Sequence, residues 1–355
     1  MPENRDIRVC EAANTPAGCS SERTVLRQQD GETSPRQVLL EVKDLEVTYG
    51  SGHKAFKAVN RANFEIYKGE TFGLVGESGS GKTTIGRAIM RILPTSGGEV
   101  LYKGQKINGK ISRQLDQQVI KEIQMIFQDP QSSLNERAKV SYIVGEGLQN
   151  VRPDLTAAQR EEKVRQALLD VGLLPEFASR FPHEFSGGQR QRIGIARAIA
   201  LQPDLIVCDE PVSALDVSVQ SQVLNLLKDL QKQYGLTYLF IGHDLSVINF
   251  IADRVCVMFL GHVCEVATKE ELYSRPMHPY TAFLMDAIPQ ADPHRRNQHR
   301  RVLMGEVPSP VNLPSGCCFH TRCPYATERC RTEVPELREW DGRMVACHRA
   351  GENWD

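Results

Sequence analysis

The sequence feature that most constrains the fold is GESGSGKT at residues 76–83. It matches G-x-x-x-x-G-K-[ST], the P-loop, in which a glycine-rich turn joins a strand to a helix and binds phosphate through backbone N–H groups. Residues 70–75 supply the predicted strand, and residues 84–93 before Pro94 supply the predicted helix. We expect Lys82 to reach the β- and γ-phosphates and Thr83 to bind Mg²⁺. The other loop residues are Gly76, Glu77, Ser78, Gly79, Ser80 and Gly81.

Length and composition exclude several classes of protein. The chain has 355 residues, of which 41% are hydrophobic and 25% charged, and a formal net charge of -1. It therefore has no basic excess of the kind that nucleic-acid-binding proteins carry. No apolar run reaches the roughly 18 residues that a membrane-spanning helix needs, and the N-terminal residues lack the apolar core of a signal peptide. We expect no nucleic-acid partner, and a membrane role only through other subunits.

Apolar periodicity divides the first part of the chain. Residues 1–37 are polar and aperiodic, which predicts a disordered tail. Residues 38–49 and 58–67 alternate apolar and polar side chains, which predicts strands. An α/β core follows, in which helices alternate with apolar strands. Its strands are predicted near residues 71–75, 123–127, 205–209 and 237–242.

The rest of the chain departs from that alternation in two places. Residues 131–189 carry helical patterns, such as residues 157–171 closed by Gly172, which predicts a helical insertion into the core. Residues 255–266 predict a hairpin. After Met277 the chain becomes rich in proline, arginine and cysteine, which predicts a separate small extension.

Two acidic residues follow one of the predicted strands. Residues 205–208 are apolar, and Asp209 and Glu210 come at the end of that segment. Ligands bind at the carboxyl ends of strands in parallel sheets, and two carboxylates there are costly without a nearby cation. We therefore predict that Asp209 serves Mg²⁺ and that Glu210 polarises a water molecule. The alternative is that both acids only cap a turn before Pro211.

A second helix start also predicts anion binding. Ser186, Gly187, Gly188 and Gln189 precede an amphipathic helical segment at residues 190–201. Serine and glycine at a helix N-terminus leave backbone N–H groups free to bind phosphate. This candidate site lies more than 100 residues after the P-loop, and one nucleotide could not easily use both sites within a compact monomer.

The order of these motifs resembles the ATP-binding subunits of ABC transporters. Besides the P-loop, the SGGQ signature and the acidic strand end, the chain has MIFQDP with Gln128, SALD with Asp216 and GHD with His243. The resemblance covers about residues 38–275. It implies an α/β fold with a P-loop NTPase (RecA-like) core, an antiparallel β subdomain and a helical insertion of the ABC type. A small Cys-rich C-terminal extension would then occupy residues 276–355.

The resemblance implies a role for each motif residue. The backbone from Gly79 to Thr84 and the Lys82 side chain would bind the phosphates. Thr83 and Gln128 would complete the Mg²⁺ site, with Asp209 acting through water.

The resemblance also implies a catalytic set and a pairing. Glu210 would polarise the attacking water, and His243 would hold the γ-phosphate and sense its loss. Tyr49 would stack on adenine, although an aromatic residue at the end of a strand is also common as plain packing. Two such domains would pair head to tail, with ATP between one P-loop and the partner's signature, and Asp216 would be the D-loop aspartate.

Further segments resemble the oligopeptide/dipeptide importer branch of this family. They are FQDP at residues 127–130, SSLN at 132–135, RPMHPYT at 275–281 and GEVPSP at 305–310. The chain resembles the second of the two ATPase subunits that occur in this branch. The implied partners are a second, related ATPase subunit, two transmembrane permeases and, indirectly, an extracytoplasmic solute-binding protein. The implied location is the cytoplasmic face of the cell membrane.

Cysteines cluster near the C-terminus. Ten are present, and five of them follow residue 316, which in a cytosolic nucleotide-binding protein indicates metal more than disulfides. Four thiolates can hold a [4Fe–4S] cluster, and members of the peptide-importer branch with this pattern are thought to carry one. Zinc, with His320 or His348 replacing one thiolate, and free thiols are the alternatives. The expected ligands are Cys317, Cys323, Cys330 and Cys347, and Cys318 makes the first of them ambiguous.

Three functions remain open at this point. The first is an ATPase that drives import of oligopeptides or dipeptides, or of nickel or another small solute. The second is an ABC ATPase that acts on DNA or ribosomes, which the near-neutral charge disfavours. The third is an ATP-binding subunit that does not hydrolyse ATP, which the presence of Glu210 and His243 disfavours.

Overall fold

The computed structural model describes residues 36–52, 55–288 and 305–352. The predicted N-terminal tail at residues 1–37 therefore lies almost wholly outside the described residues. The strands are β1 Val38–Tyr49, β2 Phe56–Tyr67, β3 Thr71–Val75, β4 Gly97–Tyr102, β5 Gln105–Lys106, β6 Ile123–Ile126, β7 Leu205–Asp209, β8 Thr237–Gly242, β9 Arg254–Phe259, β10 His262–Thr268, β11 Arg338–Trp340 and β12 Arg343–Val345.

Helices connect these strands as the helical patterns predict. They are α1 Lys82–Ile89, α2 Arg113–Glu122, α3 Pro130–Ser133, α4 Val140–Val151, α5 Ala157–Asp170, α6 Gly187–Ile199, α7 Val217–Tyr234, α8 Leu245–Ile251, α9 Lys269–Ser274, α10 Pro279–Asp286 and α11 Glu328–Thr332. Helix α5 begins with a capping box between Thr156 and Gln159 and gives way to Gly172 in a left-handed conformation, which is the start and stop chemistry expected of an amphipathic helix.

Two sheets form the framework. The first is antiparallel, with the strand order β2-β1-β4-β5, and the second has the order β11-β12-β10-β9-β3-β8-β7-β6. In the second sheet, β9, β3, β8, β7 and β6 run parallel. The parallel register places Asp209 opposite Ile241 and Val75 opposite Gly242. The carboxyl ends of β3, β7 and β8 therefore meet at one edge.

The parallel strands are buried on both faces. Along β7, Leu205 and Val207 pack into a core shared with the antiparallel sheet and α1. Ile206 and Cys208 pack into the core on the opposite face, shared with the helical region. This explains why these strands are continuously apolar, because neither face of a covered parallel sheet meets water.

The helical region comprises α4, α5 and α6, and an insertion with bounds at residues 131 and 189 stays a prediction. Helices α4, α5 and α6 contact one another, and α6 also packs against β6 and α7. Among the described residues, no helix is both long and apolar enough to span a membrane.

The C-terminal extension is not separate from the core, contrary to the expectation from its composition. Strand β12 pairs with β10, placing Val345 opposite Glu265, so the extension continues the second sheet. Phe319 is buried, and its ring lies 5.4 Å from that of Phe259 and 5.3 Å from that of Tyr280. Composition gave no indication of this, since an aromatic anchor and a three-residue strand leave little periodic signal.

Candidate active site

Close backbone contacts fix the conformation of the P-loop. A Cβ on Gly76, at φ +154°, would lie 2.1 Å from the carbonyl oxygen of Met258. A Cβ on Gly81, at φ +96°, would lie 2.4 Å from the carbonyl oxygen of Ala58. Strands β9 and β2 therefore press against the loop, and only glycine fits at these positions.

Lys82 lies beneath this loop. Its Nζ donates hydrogen bonds to the carbonyl oxygens of Gly76 at 2.7 Å and Glu77 at 2.9 Å, and to Oγ of Ser80 at 3.2 Å. The side chain is buried, and the loss of solvation lowers the pKa of Lys82, against the attraction of Glu210 and Asp209. The Lys82 ammonium is poorly hydrated and is held by several oxygen acceptors. It can therefore form charge-assisted hydrogen bonds with a phosphate that enters the loop.

Thr83 and Asp209 meet at the end of β7. Oγ1 of Thr83 donates to Oδ1 of Asp209 at 2.8 Å. The Asp209 carboxylate is almost completely buried, and burial raises the pKa of Asp209, opposed by the Thr83 hydrogen bond. A buried carboxylate beside a hydroxyl matches the oxygen ligands that Mg²⁺ prefers, so these residues fit the predicted ion.

Three neighbouring strand ends converge on the Glu210 carboxylate. Nε2 of Gln128, which follows β6, donates to Oε2 of Glu210 at 3.0 Å. Nδ1 of His243, which follows β8, lies 3.2 Å from the same oxygen. The structure thus brings together Gln128, Glu210 and His243, whose positions in the sequence are widely separated.

The backbone of Glu210 is strained. Its φ is +46°, which is uncommon for a residue with a side chain. Its N–H donates to the carbonyl oxygen of Ile241 at 3.0 Å, so the neighbouring strand holds this conformation. Such strain is characteristic of functional positions that the surrounding structure determines.

The signature residues lie at the start of α6. Ser186 is the N-cap: its N–H donates to Oε1 of Gln189 at 3.0 Å, and its Oγ accepts from the Gln189 N–H. A Cβ on Gly188 would lie 2.5 Å from Cγ1 of Val219, so α6 and α7 approach closely at this glycine. Asp216 caps α7 by accepting from the Val219 N–H at 2.9 Å.

Tyr49 lies beside the P-loop helix. Its Oη is 3.4 Å from Oγ1 of Thr84, and its ring stacks on Phe56 with the centroids 5.8 Å apart. The half-buried ring is thus partly engaged in packing, as the alternative interpretation expected, and still lies next to a residue of the predicted phosphate site.

The four predicted cysteine ligands line one cavity. Cys317, Cys323, Cys330 and Cys347 surround it together with His320 and His348. Burial raises the pKa of Cys323 to about 11 and of Cys347 to about 12, so these thiols stay protonated unless a bound cation compensates.

Cys318 points elsewhere. Its Sγ donates to the carbonyl oxygen of Phe259 at 3.7 Å, and the side chain belongs to the hydrophobic core. Within residues 36–52, 55–288 and 305–352, no group of three or more His, Cys, Asp or Glu side chains forms a ready site for a metal ion. The cysteines in these ranges are free thiols. The cavity therefore gathers the four predicted ligands, which do not form a ready metal site in this structure.

Two residues without a predicted role contact the P-loop directly. The Glu77 N–H donates to Oη of Tyr280 at 3.0 Å, and Nη1 of Arg322 donates to the Glu77 carboxylate at 3.0 and 3.2 Å. Tyr280 belongs to the RPMHPYT segment, whose resemblance to the oligopeptide/dipeptide importer branch predicted no role for this residue. The sequence offered no signal for Arg322 apart from its position before Cys323.

Two family descriptions match this chain. The family described as "ABC transporter" matches residues 59–213. The family described as "Oligopeptide/dipeptide transporter, C-terminal region" matches residues 264–330. The two matches cover the P-loop, the signature and four of the five clustered cysteines.

Similar sequences carry consistent names. The oligopeptide transport ATP-binding protein AmiF of Streptococcus pneumoniae is 61% identical over 255 residues, which are 72% of this chain and 83% of AmiF. The oligopeptide transport ATP-binding protein OppF of Streptococcus pyogenes is 57% identical over 265 residues, which are 75% of this chain and 86% of OppF.

Solved structures give the same fold. CbiO1 from Clostridium perfringens, described as part of an ABC transporter complex, has a TM-score of 0.60 and 28% identity over 67% of this chain and 92% of its own. The ATP-binding cassette MJ0796, solved as a post-hydrolysis dimer with ADP and phosphate, has a TM-score of 0.59 and 29% identity. That likeness covers 65% of this chain and 99% of the cassette.

Proposed function

This chain belongs to the oligopeptide/dipeptide branch of the ABC transporter ATP-binding proteins and is an ATPase, and we propose that it powers the import of oligopeptides or dipeptides. The observation that carries the proposal is the convergence of Gln128, Glu210 and His243 at one sheet edge, in a chain 61% identical to an oligopeptide transport ATP-binding protein.

Each residue at this edge has a role that its surroundings support. Lys82 and the N–H groups of residues 79–84 bind the phosphates. Thr83 and Gln128 would hold Mg²⁺, with Asp209 acting through water, and the ion would offset phosphate charge. Glu210 accepts a proton from the attacking water, and Gln128 and His243 orient its carboxylate, because both contact the same oxygen.

The chain works as one half of a pair. The signature residues start a helix in the helical region, whereas the P-loop joins β3 to α1. A second ATPase subunit that places its signature over this P-loop accounts for the two anion sites. The MJ0796 cassette was solved as a dimer, which supports this arrangement.

Transport requires membrane partners. We assign to this chain two permease subunits, a solute-binding protein that acts through them, and a peripheral position at the cytoplasmic face of the membrane. ATP binding closes the ATPase pair and hydrolysis reopens it, and the helical region passes this motion to the permeases.

The cysteine cavity is proposed to hold a [4Fe–4S] cluster. Four cysteine thiols that line one cavity support this, because four thiolates can hold such a cluster. Zinc is the alternative occupant. Cys317, Cys323, Cys330 and Cys347 would hold the cluster, which would link the extension at four points. Cys317, and not Cys318, is the first ligand.

Uptake of a labelled tripeptide tests the transport function. Cells that lack the gene and express the wild-type chain should take up the peptide, and cells that express Lys82→Ala should not. Lys110→Ala is the control, because Lys110 is exposed and far in sequence from the P-loop. Peptide uptake that does not require this chain contradicts the proposal.

Nickel or another small solute is the second candidate. It is favoured if ⁶³Ni uptake, and not peptide uptake, depends on Lys82 in the same strains. Co-purification with multi-spanning membrane proteins separates both candidates from an ATPase that acts on DNA or ribosomes.

A further inference from the structure

We propose that Tyr280 and Arg322 are positioning residues that hold the P-loop in its phosphate-binding conformation, so that nucleotide affinity depends on the C-terminal extension. The inference rests on the proposed function only in requiring that the P-loop bind ATP. It gives the extension a task at the nucleotide site, beyond any contribution to stability.

The contacts converge on one residue of the P-loop. The N–H of Glu77 donates to Oη of Tyr280, and its carbonyl oxygen accepts from Nζ of Lys82. Its carboxylate accepts two hydrogen bonds from Nη1 of Arg322. The N–H, the carbonyl oxygen and the carboxylate of Glu77 are therefore all anchored. Tyr280 and Arg322, which hold the N–H and the carboxylate, both follow the parallel core in sequence.

Tyr280 is itself rigidly placed. Its side chain is fully buried, with its ring centroid 4.7 Å from that of Phe259 and 5.3 Å from that of Phe319. The segment before it is tied to the core, because the buried Glu265 carboxylate accepts from the N–H groups of Met277 and His278 at 2.9 and 3.0 Å. A fixed hydroxyl can thus define the position of the Glu77 N–H.

Arg322 contributes charge as well as position. Its side chain is 7% exposed and that of Glu77 is 26% exposed, so the pair is shielded from water on the arginine side. Glu77 adjoins the phosphate site, because its carbonyl oxygen accepts from Nζ of Lys82 at 2.9 Å. Without the guanidinium, an unpaired negative charge would stand beside the site where ATP phosphates bind, and it would repel them.

The pair also connects the cysteine cavity to the nucleotide site. Arg322 immediately precedes Cys323, which lines the cavity, and Phe319 anchors the same short segment in the core. Residues 317–323 are therefore joined to Glu77 through the Arg322 ion pair.

The test measures binding of a fluorescent ATP analogue to the full-length chain. Arg322→Gln should raise the Kd about tenfold, the effect expected for an uncompensated charge at the site, and Arg322→Lys should keep most of the affinity. Tyr280→Phe, which removes only the hydroxyl, should raise the Kd by a few fold. Arg329→Gln is the matched control, because Arg329 forms an exposed ion pair with Glu333 in the same extension.

The double substitution Glu77→Gln/Arg322→Gln distinguishes charge from fold. It should recover much of the affinity lost in Arg322→Gln, since it removes the unpaired carboxylate, whereas an affinity as low as that of the single variant overturns the electrostatic role. In the assembled ATPase, Arg322→Gln should raise KM with little change in kcat, because the pair does not touch the reacting atoms.

Two results overturn the inference. One is a wild-type Kd in Arg322→Gln with an unchanged melting temperature. The other, decisive if Arg322→Gln does not fold, is a wild-type Kd in Tyr280→Phe. If the wild-type chain binds the ATP analogue no better than Lys82→Ala does, the proposed function is refuted instead. The failure of the inference and the failure of the proposed function are therefore distinguishable.

Discussion

The nucleotide edge, which comprises the P-loop and the ends of β6, β7 and β8, differs from the cysteine cavity in how its residues are held. Strands β3, β7 and β8 are buried along their whole length, so the sheet alone fixes the side chains that follow them. The extension at residues 305–352 contains few buried apolar side chains: Cys318, Phe319, Cys330, Val345 and Ala346.

This difference shows two ways of building a site. At the nucleotide edge, burial of apolar strands supplies the stability, and the polar residues are positioned by the register of the sheet. Around the cysteine cavity, a segment with so little core would gain stability from the proposed cluster. The first site should therefore survive loss of its ligand, and the second should not.

Glu210→Gln gives the largest expected effect and tests whether the nucleotide edge is built in advance. ATP turnover should fall by about 10²–10³-fold or more, the scale for loss of a key transition-state group, while nucleotide binding and the melting temperature stay close to wild type. Turnover is measured in the assembled transporter, with the exposed Glu161→Gln as control. Undiminished turnover removes Glu210 from the catalytic role.

Cys317→Ser against Cys318→Ser tests the cysteine cavity. Cys317→Ser should lose essentially all iron, out of about four per chain, together with the absorbance near 400 nm, and residues 305–352 should become sensitive to protease. Cys318→Ser should keep its iron. Its free energy of unfolding should fall by about 1–3 kcal/mol, because the substitution places a hydroxyl in an apolar site. The measurement is the iron content of each variant after anaerobic purification. Iron loss only in Cys318→Ser, or stoichiometric zinc without iron in the wild-type chain, contradicts the assignment of Cys317 as a cluster ligand.

A comparison of the stabilities of Gly76→Ala and Gly79→Ala tests the packing of the P-loop without any ligand. Gly76→Ala should destabilise the protein by roughly 3 kcal/mol, because its Cβ meets the Met258 carbonyl. Gly79→Ala should cost about 1 kcal/mol, because at φ +79° only backbone strain opposes it and no atom lies within 4 Å of the added Cβ. Equal melting temperatures would show that β9 does not shape the loop.

Tyr49→Ala has the smallest expected effect and tests whether Tyr49, beside the nucleotide edge, stacks on adenine. Loss of an aromatic surface next to Thr84 should weaken ATP binding by about 1–3 kcal/mol, the range for stacking on a base. Tyr49→Phe should bind ATP normally. If Tyr49→Ala keeps its affinity but melts earlier, the ring serves only to pack on Phe56.

Much of the architecture was predictable, for identifiable reasons. Strands β3, β7 and β8 and helix α5 follow the predicted segments closely, because long apolar runs and complete caps are strong local signals. Strands β4 and β5 carry no such signal and were not predicted. The grouping of Gln128, Glu210 and His243 at one edge follows the rule for parallel strands, although their roles stay predictions.

The sequence by itself determined the P-loop chemistry, the order of the motifs and the identity of the family, because each depends on residue types at fixed spacings. Tertiary structure decided that the extension joins the core sheet through β12, that Cys317 and not Cys318 lines the cavity, and that Arg322 reaches Glu77 across 245 residues of sequence. The physical reason is that such contacts depend on packing between distant segments, and local pattern carries no record of which side chain faces which.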